Sequence, residues 1–85
     1  MKPAPTFVEA GMLYESTGRD PLLLGHATLT VDTDRVWRIR QVWRQDWCKT
    51  ETTHTEHTDE AEARAHMARI YAAGEPLGTW RIRKD

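Results

Sequence analysis

From Arg35 to Trp47 the chain alternates between two chemistries. Trp37, Ile39, Trp43 and Trp47 fall on odd positions, and Val36, Arg38, Arg40, Val42 and Arg44 on even ones. On a helix this spacing would scatter the indoles around the cylinder among the arginines. On a pleated strand successive side chains point to opposite faces, so the two classes separate completely. The segment is therefore predicted to be a long strand with one aromatic and one cationic face.

The tetrapeptide Trp37-Arg38-Ile39-Arg40 recurs as Trp80-Arg81-Ile82-Arg83 near the end of the chain. Two strands of one sheet beneath a common helix would each need an indole and a branched aliphatic inward and cations outward. The repeat meets that requirement. Trp37, Ile39, Trp80 and Ile82 are accordingly expected under the helix, and Arg38, Arg40, Arg81 and Arg83 outside.

Around these strands the remaining elements can be placed. Phe7 to Ser16 alternates weakly, with Val8, Ala10, Met12 and Tyr14 on one side and Phe7, Glu9, Gly11, Leu13 and Glu15 on the other; strand and helix both remain open there. Ser16 to Pro21 holds Gly18, Asp20 and Pro21, residues that favour a turn. In "LLLGHATLTV" the residues Ala27, Leu29 and Val31 share one face of a predicted strand, and the short Asp32-Thr33-Asp34 joint implies a hairpin. Cys48 to Thr58 contains no aliphatic or aromatic residue and is rich in threonine, which describes an edge strand or an extended loop.

A helix is predicted over about 59–73. Thr58 or Asp59 caps its start, Asp59 and Glu62 have capping-box spacing, Gly74 is expected as a left-handed cap and Pro76 blocks continuation. Its buried stripe is Ala63, Met67, Ile70 and Tyr71, with Glu60 and Arg64 as an outward i,i+4 pair. The fold class is thus α+β: a single domain over 1–85, with residues 1–5 expected to be flexible. An antiparallel sheet of 4–5 strands carries one C-terminal helix on one face, in the order β-β-β-(β)-α-β.

Composition narrows the function mainly by exclusion. At 85 residues the chain forms one core, and a formal net charge of −1 supplies no overall field for polyanions, so any charge-driven binding must come from a local patch. The single cysteine, Cys48, excludes an intramolecular disulfide framework and fits a reducing compartment; it is expected to be half-buried and inert. The opening "MKPAPTFVEAGMLYES" has no apolar run of signal-peptide length, and no stretch approaches the roughly 20 apolar residues of a membrane span. A cytoplasmic chain with no leader and no membrane contact is expected.

The local patch with most chemical promise is Arg38, Arg40, Arg44, Arg81 and Arg83, the candidate binding face, because guanidinium groups match phosphate in bidentate geometry. A plainer reading is ranked ahead of it. Arginine stems often cover a sheet face left in water, and Glu51, Glu56, Asp59, Glu60 and Glu62 form an acidic run that would neutralise them. Base stacking is ranked lower still, since it needs aromatic and basic side chains on one face and the tryptophans lie opposite the arginines. His54, His57 and His66 invite a metal reading. His54 and His57 are only three apart, precede the helix and point to opposite faces of an extended segment, so no metal site is expected. Cys48 lacks an oriented base, and the glycines are isolated from one another, so neither a catalytic site nor a cofactor is expected.

The C-terminal third, "TDEAEARAHMARIYAAGEPLGTWRIRKD", resembles short uncharacterised open reading frames of high-GC actinobacteria and their phages. That resemblance implies a small accessory protein acting by binding a macromolecule, often as a dimer. The leading expectation is a non-enzymatic module that binds a protein partner through an exposed sheet face or edge, with homodimer formation included. A nucleic-acid-binding module using the arginine face is the alternative.

Overall fold

The computed structural model describes residues 4–15, 20–46 and 48–85. Five strands and one helix follow one another as β1 (Thr6–Glu15), β2 (Leu23–Val31), β3 (Trp37–Arg44), β4 (Thr50–His57), α1 (Glu60–Gly74) and β5 (Gly78–Lys84). The strands form one sheet in the order β4-β3-β2-β1-β5, with antiparallel neighbours throughout. The α+β class, the element order and the single helix on one face are as the sequence predicts. The first segment is a strand, and the Thr-rich segment is an edge strand. Residues 16–19 of the turn expected at Ser16–Pro21, the placement of Trp47 and the first three of the residues expected to be flexible lie outside the described residues.

Register converts the sequence alternation into two chemically distinct faces. Beneath the helix, one row runs Trp80, Leu13, Gly25, Trp43 across four strands, and another runs Glu9, Leu29, Ile39, Thr55. Leu13, Leu29, Ile39 and Met67 are the largest enclosed side chains, with Ala27 and Ala63 as smaller contributors. At about 2 kcal/mol for each enclosed aliphatic or Met side chain this is a small core. The partly buried Trp37, Trp43, Trp80 and Tyr71 packed around it therefore carry much of the remaining apolar burial.

The aromatic layer depends on missing side chains. A Cβ on Gly11 would stand 2.6 Å from Tyr71 Cε1 and 3.1 Å from Trp80 Cε3, so this glycine makes room for two rings lying over β1. Gly74 serves the same purpose from the helix side. It is the last residue of α1, it is buried, and its Cβ would meet Trp80 Cζ2 at 2.6 Å. The expectation of a left-handed cap at Gly74 is thus corrected: the backbone continues helically through Glu75 (φ −54°, ψ −42°), and the glycine is needed for close approach of the indole.

Hydrogen bonds complete the joint. Trp80 Nε1 donates to the Tyr71 carbonyl at 2.8 Å, and the Glu75 amide donates to the same carbonyl at 3.0 Å, so an exposed end of the helix is satisfied partly by the sheet. Trp43 Nε1 donates to Gln41 Oε1. Trp43 and Trp80 meet edge to face at 6.1 Å, and Tyr71 and Trp80 at 4.9 Å. At the other end of α1, Asp59 Oδ1 accepts from the Ala61 amide, and Arg64 pairs with Glu60 at 3.2 Å. Ala63, Met67 and Ile70 form the buried stripe, with Tyr71 half-buried.

Two expectations about burial are corrected. Ile82 is 46% exposed: it sits on edge strand β5 opposite Gly11, beyond the reach of a helix whose C-terminal end is held at Trp80. Cys48 is exposed, not half-buried, because it lies in the β3–β4 connection where its amide bonds Asp46 Oδ1.

A buried carboxylate completes the helix side. Glu9 is only 7% exposed and accepts a 2.6 Å bond from the Tyr71 hydroxyl, with Lys84 Nζ 4.0 Å from its other oxygen. Burial, followed by the Glu9 contact, raises the Tyr71 phenol well above its usual range, so it remains a donor at any physiological pH.

Replacing Gly74 with Ala tests the joint. On an open helix face this substitution gains up to about 1 kcal/mol; here the methyl must displace Trp80, and we expect a net loss of about 1–3 kcal/mol. A lowered urea midpoint, followed by tryptophan fluorescence, is the expected result. A raised midpoint would contradict the packing described.

Candidate functional site

Among the described residues, no helix covers the second face of the sheet. Its rows are Arg83, Ala10, Thr28, Arg40, His54 and, one pleat along, Arg81, Met12, His26, Val42, Thr52. Arg38 aligns with Thr30 and Glu56, and Arg44 with Thr50. All five predicted arginines are therefore exposed on one face, opposite α1. They fall into two lines, on β3 and on β5, with β1 and β2 between. Three inter-strand spacings separate the lines by about 14 Å. The intervening floor is lowest at Ala10, Thr28 and Thr30, with the exposed Met12 and the half-buried His26 standing one pleat along.

Charge on this face is one-sided. Among the described strand residues, Glu56 is the only carboxylate that register places there. Arg38 is occupied, pairing with Asp32 and, at 3.2 Å, with Glu56. The Val36 amide, then Arg38 and the Asp34 amide, hold the Asp32 carboxyl below its ordinary value. The same aspartate accepts the Arg35 amide through its carbonyl and so orders the β2–β3 loop, in which Arg35 adopts φ 60°. Among the described residues, Arg40 and Arg44 make no ion pair. His26 is pushed towards its neutral form by burial and then by the Arg40 charge.

Two aromatic rings share the face with the arginines. The Arg81 guanidinium lies 4.6 Å from the Tyr14 ring centroid, and that of Arg83 lies 5.6 Å from Phe7. Trp37, Trp43 and Trp80 are on the helix side as the alternation requires, but the separation of aromatic from cationic side chains is incomplete. Sequence parity does not reveal Phe7 and Tyr14 as members of this face, for a physical reason. Alternation within β1 cannot say which side meets the helix until the strand is registered against β2. A bulge between Phe7 and Glu9 then moves Phe7 to the side of Tyr14, against the grouping with Glu9 and Leu13 that simple alternation implies.

An open depression of roughly 400 Å³ lies across β2, β3 and β4, lined by Thr28, Thr30, Arg38, Arg40, His54 and Glu56 among others. It is open on one side and lined by side-chain stems and methyl groups as well as charged heads, suited to contact with a surface or a chain and not to enclosing a small molecule.

The histidines separate. His54 stands on the arginine face, whereas His57 turns under the sheet and meets His66 of α1, with Nε2 and Nδ1 3.0 Å apart. Among the described residues no three of His, Cys, Asp and Glu are grouped as a metal site, and no helix is long and apolar enough to cross a membrane. Compared with protein-family models, curated proteins and solved structures, the chain has no match.

The His57–His66 contact makes stability pH-dependent. Burial, then His57 and then Arg69 push the His66 pKa below 6.5, so the folded state holds His66 neutral while the unfolded chain takes up a proton there. Stability is complete above about pH 6.5 and falls as pH drops towards the lowered folded value. His26 acts in the same direction. The urea midpoint should therefore be lower at pH 5.5 than at pH 7.5, and His66→Gln should shrink the difference without abolishing it. Equal midpoints in the parent protein would contradict the assignment.

Proposed function

We propose that this chain is a non-enzymatic binding module whose arginine face takes a single-stranded nucleic acid. The observation that carries the reading is the placement of Tyr14 and Phe7 beside Arg81 and Arg83 on the uncovered face. Single-strand surfaces combine cations that follow the phosphates with rings on which bases stack, and both kinds of group stand together here. This puts nucleic acid ahead of a protein partner, against the order expected from the sequence, where the near-neutral charge favours a protein and base stacking is set aside because the tryptophans lie opposite the arginines.

The low floor between the arginine lines supports the same reading. It leaves room for a chain lying along the strands, with phosphates reaching Arg40 and Arg44 on one side or Arg81 and Arg83 on the other. With a net charge of only −1 and one carboxylate among the described strand positions of this face, the acidic residues lie largely elsewhere. Binding to a protein through a sheet edge keeps one observation in its favour, the uncovered β4, which is compatible with nucleic-acid binding on the face.

Fluorescence anisotropy with a labelled mixed-sequence DNA oligonucleotide, single-stranded and duplex, tests the proposal. Affinity for the single strand should fall steeply with salt. Replacing Arg40 or Arg44 with Ala should reduce the slope of log K against log salt by about 0.7 for each phosphate that is no longer neutralised. Tyr14→Ala should weaken single-strand binding by about 1–3 kcal/mol with little change in slope. Absence of binding at low salt, or a preference for duplex that ignores Tyr14, would overturn it.

A further inference from the structure

We infer that β4 pairs with β4 of a second copy of this chain, antiparallel, about a twofold axis at His54. The inference does not depend on the nucleic-acid reading, since it concerns the sheet edge and not its face. β4 is an outermost strand, bonded to β3 alone, over an uninterrupted register from Trp37–His57 to Arg44–Thr50. An edge strand presents a row of unpaired amides and carbonyls, which monomeric proteins blunt with lysine, proline, bulges or a covering element. β4 has none of the first three along Thr50–His57, and four of its eight residues are threonine, a good strand former. The opposite edge is different: β5 carries three cations, Arg81, Arg83 and Lys84, with no acid among them, whereas the two carboxylates of β4, Glu51 and Glu56, share their strand with two histidines.

Symmetry and charge select the register. A twofold axis normal to the sheet keeps both arginine faces on the same side, and then a residue must lie opposite its own copy at the axis. With the axis at His54, Thr53 faces Thr55 of the second copy, Thr52 faces Glu56 and Glu51 faces His57. The last pairing sets a carboxylate against an imidazole twice per dimer; with His66 on His57 Nε2 and Gln45 on Glu51 Oε2, the atoms left for it are Nδ1 and Oε1. With the axis at Thr53, Glu51 would face threonine, and Lys49 would be brought against His57. With the axis at Thr55, Glu56 would face His54 but Glu51 would be brought against Asp59, whereas the axis at His54 sets Lys49 towards Asp59. Charge complementarity therefore favours the axis at His54, where the two sheets become one ten-stranded sheet with a continuous arginine face.

Sedimentation and cysteine trapping test this together. The parent protein should show a mass rising with concentration from one chain towards two. Glu51→Lys, an exposed position, should weaken the dimer by about tenfold or more while melting normally, since it reverses both carboxylate–imidazole pairings. In a Cys48→Ser background, His54→Cys should form a disulfide-linked dimer rapidly on mild oxidation. Directly opposed Cα atoms lie about 4.5–5.5 Å apart, within disulfide reach. Thr52→Cys in the same background should cross-link far more slowly, because the two copies of position 52 are offset by about 13 Å along the strands. A single-chain mass at every concentration, or equal trapping at 52 and 54, would overturn the inference.

Discussion

The seat of Trp80 is the contact on which the rest of the structure depends. Its indole lies against Gly74 from the helix and over Gly11 from the sheet, touches Tyr71 and Trp43, and donates to the Tyr71 carbonyl. A domain of this size has little apolar surface to enclose, so a few large rings in fitted gaps must do what a broad aliphatic core does elsewhere. Because both gaps are glycines, the fit tolerates almost no added volume. The joint fixes the C-terminal end of α1 over β1 and β5, while the Asp59 cap and the His57–His66 contact hold the other end near β4.

One helix docked in this way covers one face and leaves the other bare. The bare face inherits the even-numbered side of β3 and the matching side of β5, which is why five arginines gather in a chain with almost no net charge. Asp32 and Glu56 occupy Arg38 and order the loop beside it, so the remaining arginines are the ones available to meet a polyanion. Tyr14 and Phe7 give that surface a second kind of contact. Because Arg81 and Arg83 lie over these rings, on the proposed reading a base would stack on the guanidinium plane or take its place on the ring.

The architecture is legible in the sequence because alternation and capping are local. Trp37 to Arg44 declares a two-faced strand, and Asp59 with the stripe of Ala63, Met67 and Ile70 declares the helix. What cannot be read there depends on pairs of residues far apart in the chain. Gly74 looks like a helix terminator until Trp80 is placed against it, and Glu9 looks like an ordinary solvated carboxylate until the Tyr71 hydroxyl reaches it across 62 positions. Ile82 repeats the context of Ile39, yet only Ile39 lies beneath α1, because equal local pattern does not imply equal position in the sheet. The candidate face is legible in its arginines and not in its aromatic rings. Their side depends on the β1–β2 register and on the bulge after Phe7.

The central claim, that the uncovered face of the sheet is the working surface, is tested most directly by mapping chemical-shift changes in isotopically labelled protein as an unlabelled single-stranded oligonucleotide is added at low salt. The account predicts movement of the side-chain Nε–H signals of Arg40, Arg44, Arg81 and Arg83 and of the Tyr14 and Phe7 resonances, with α1 signals at rest. Changes confined to α1, or none at all, would contradict it.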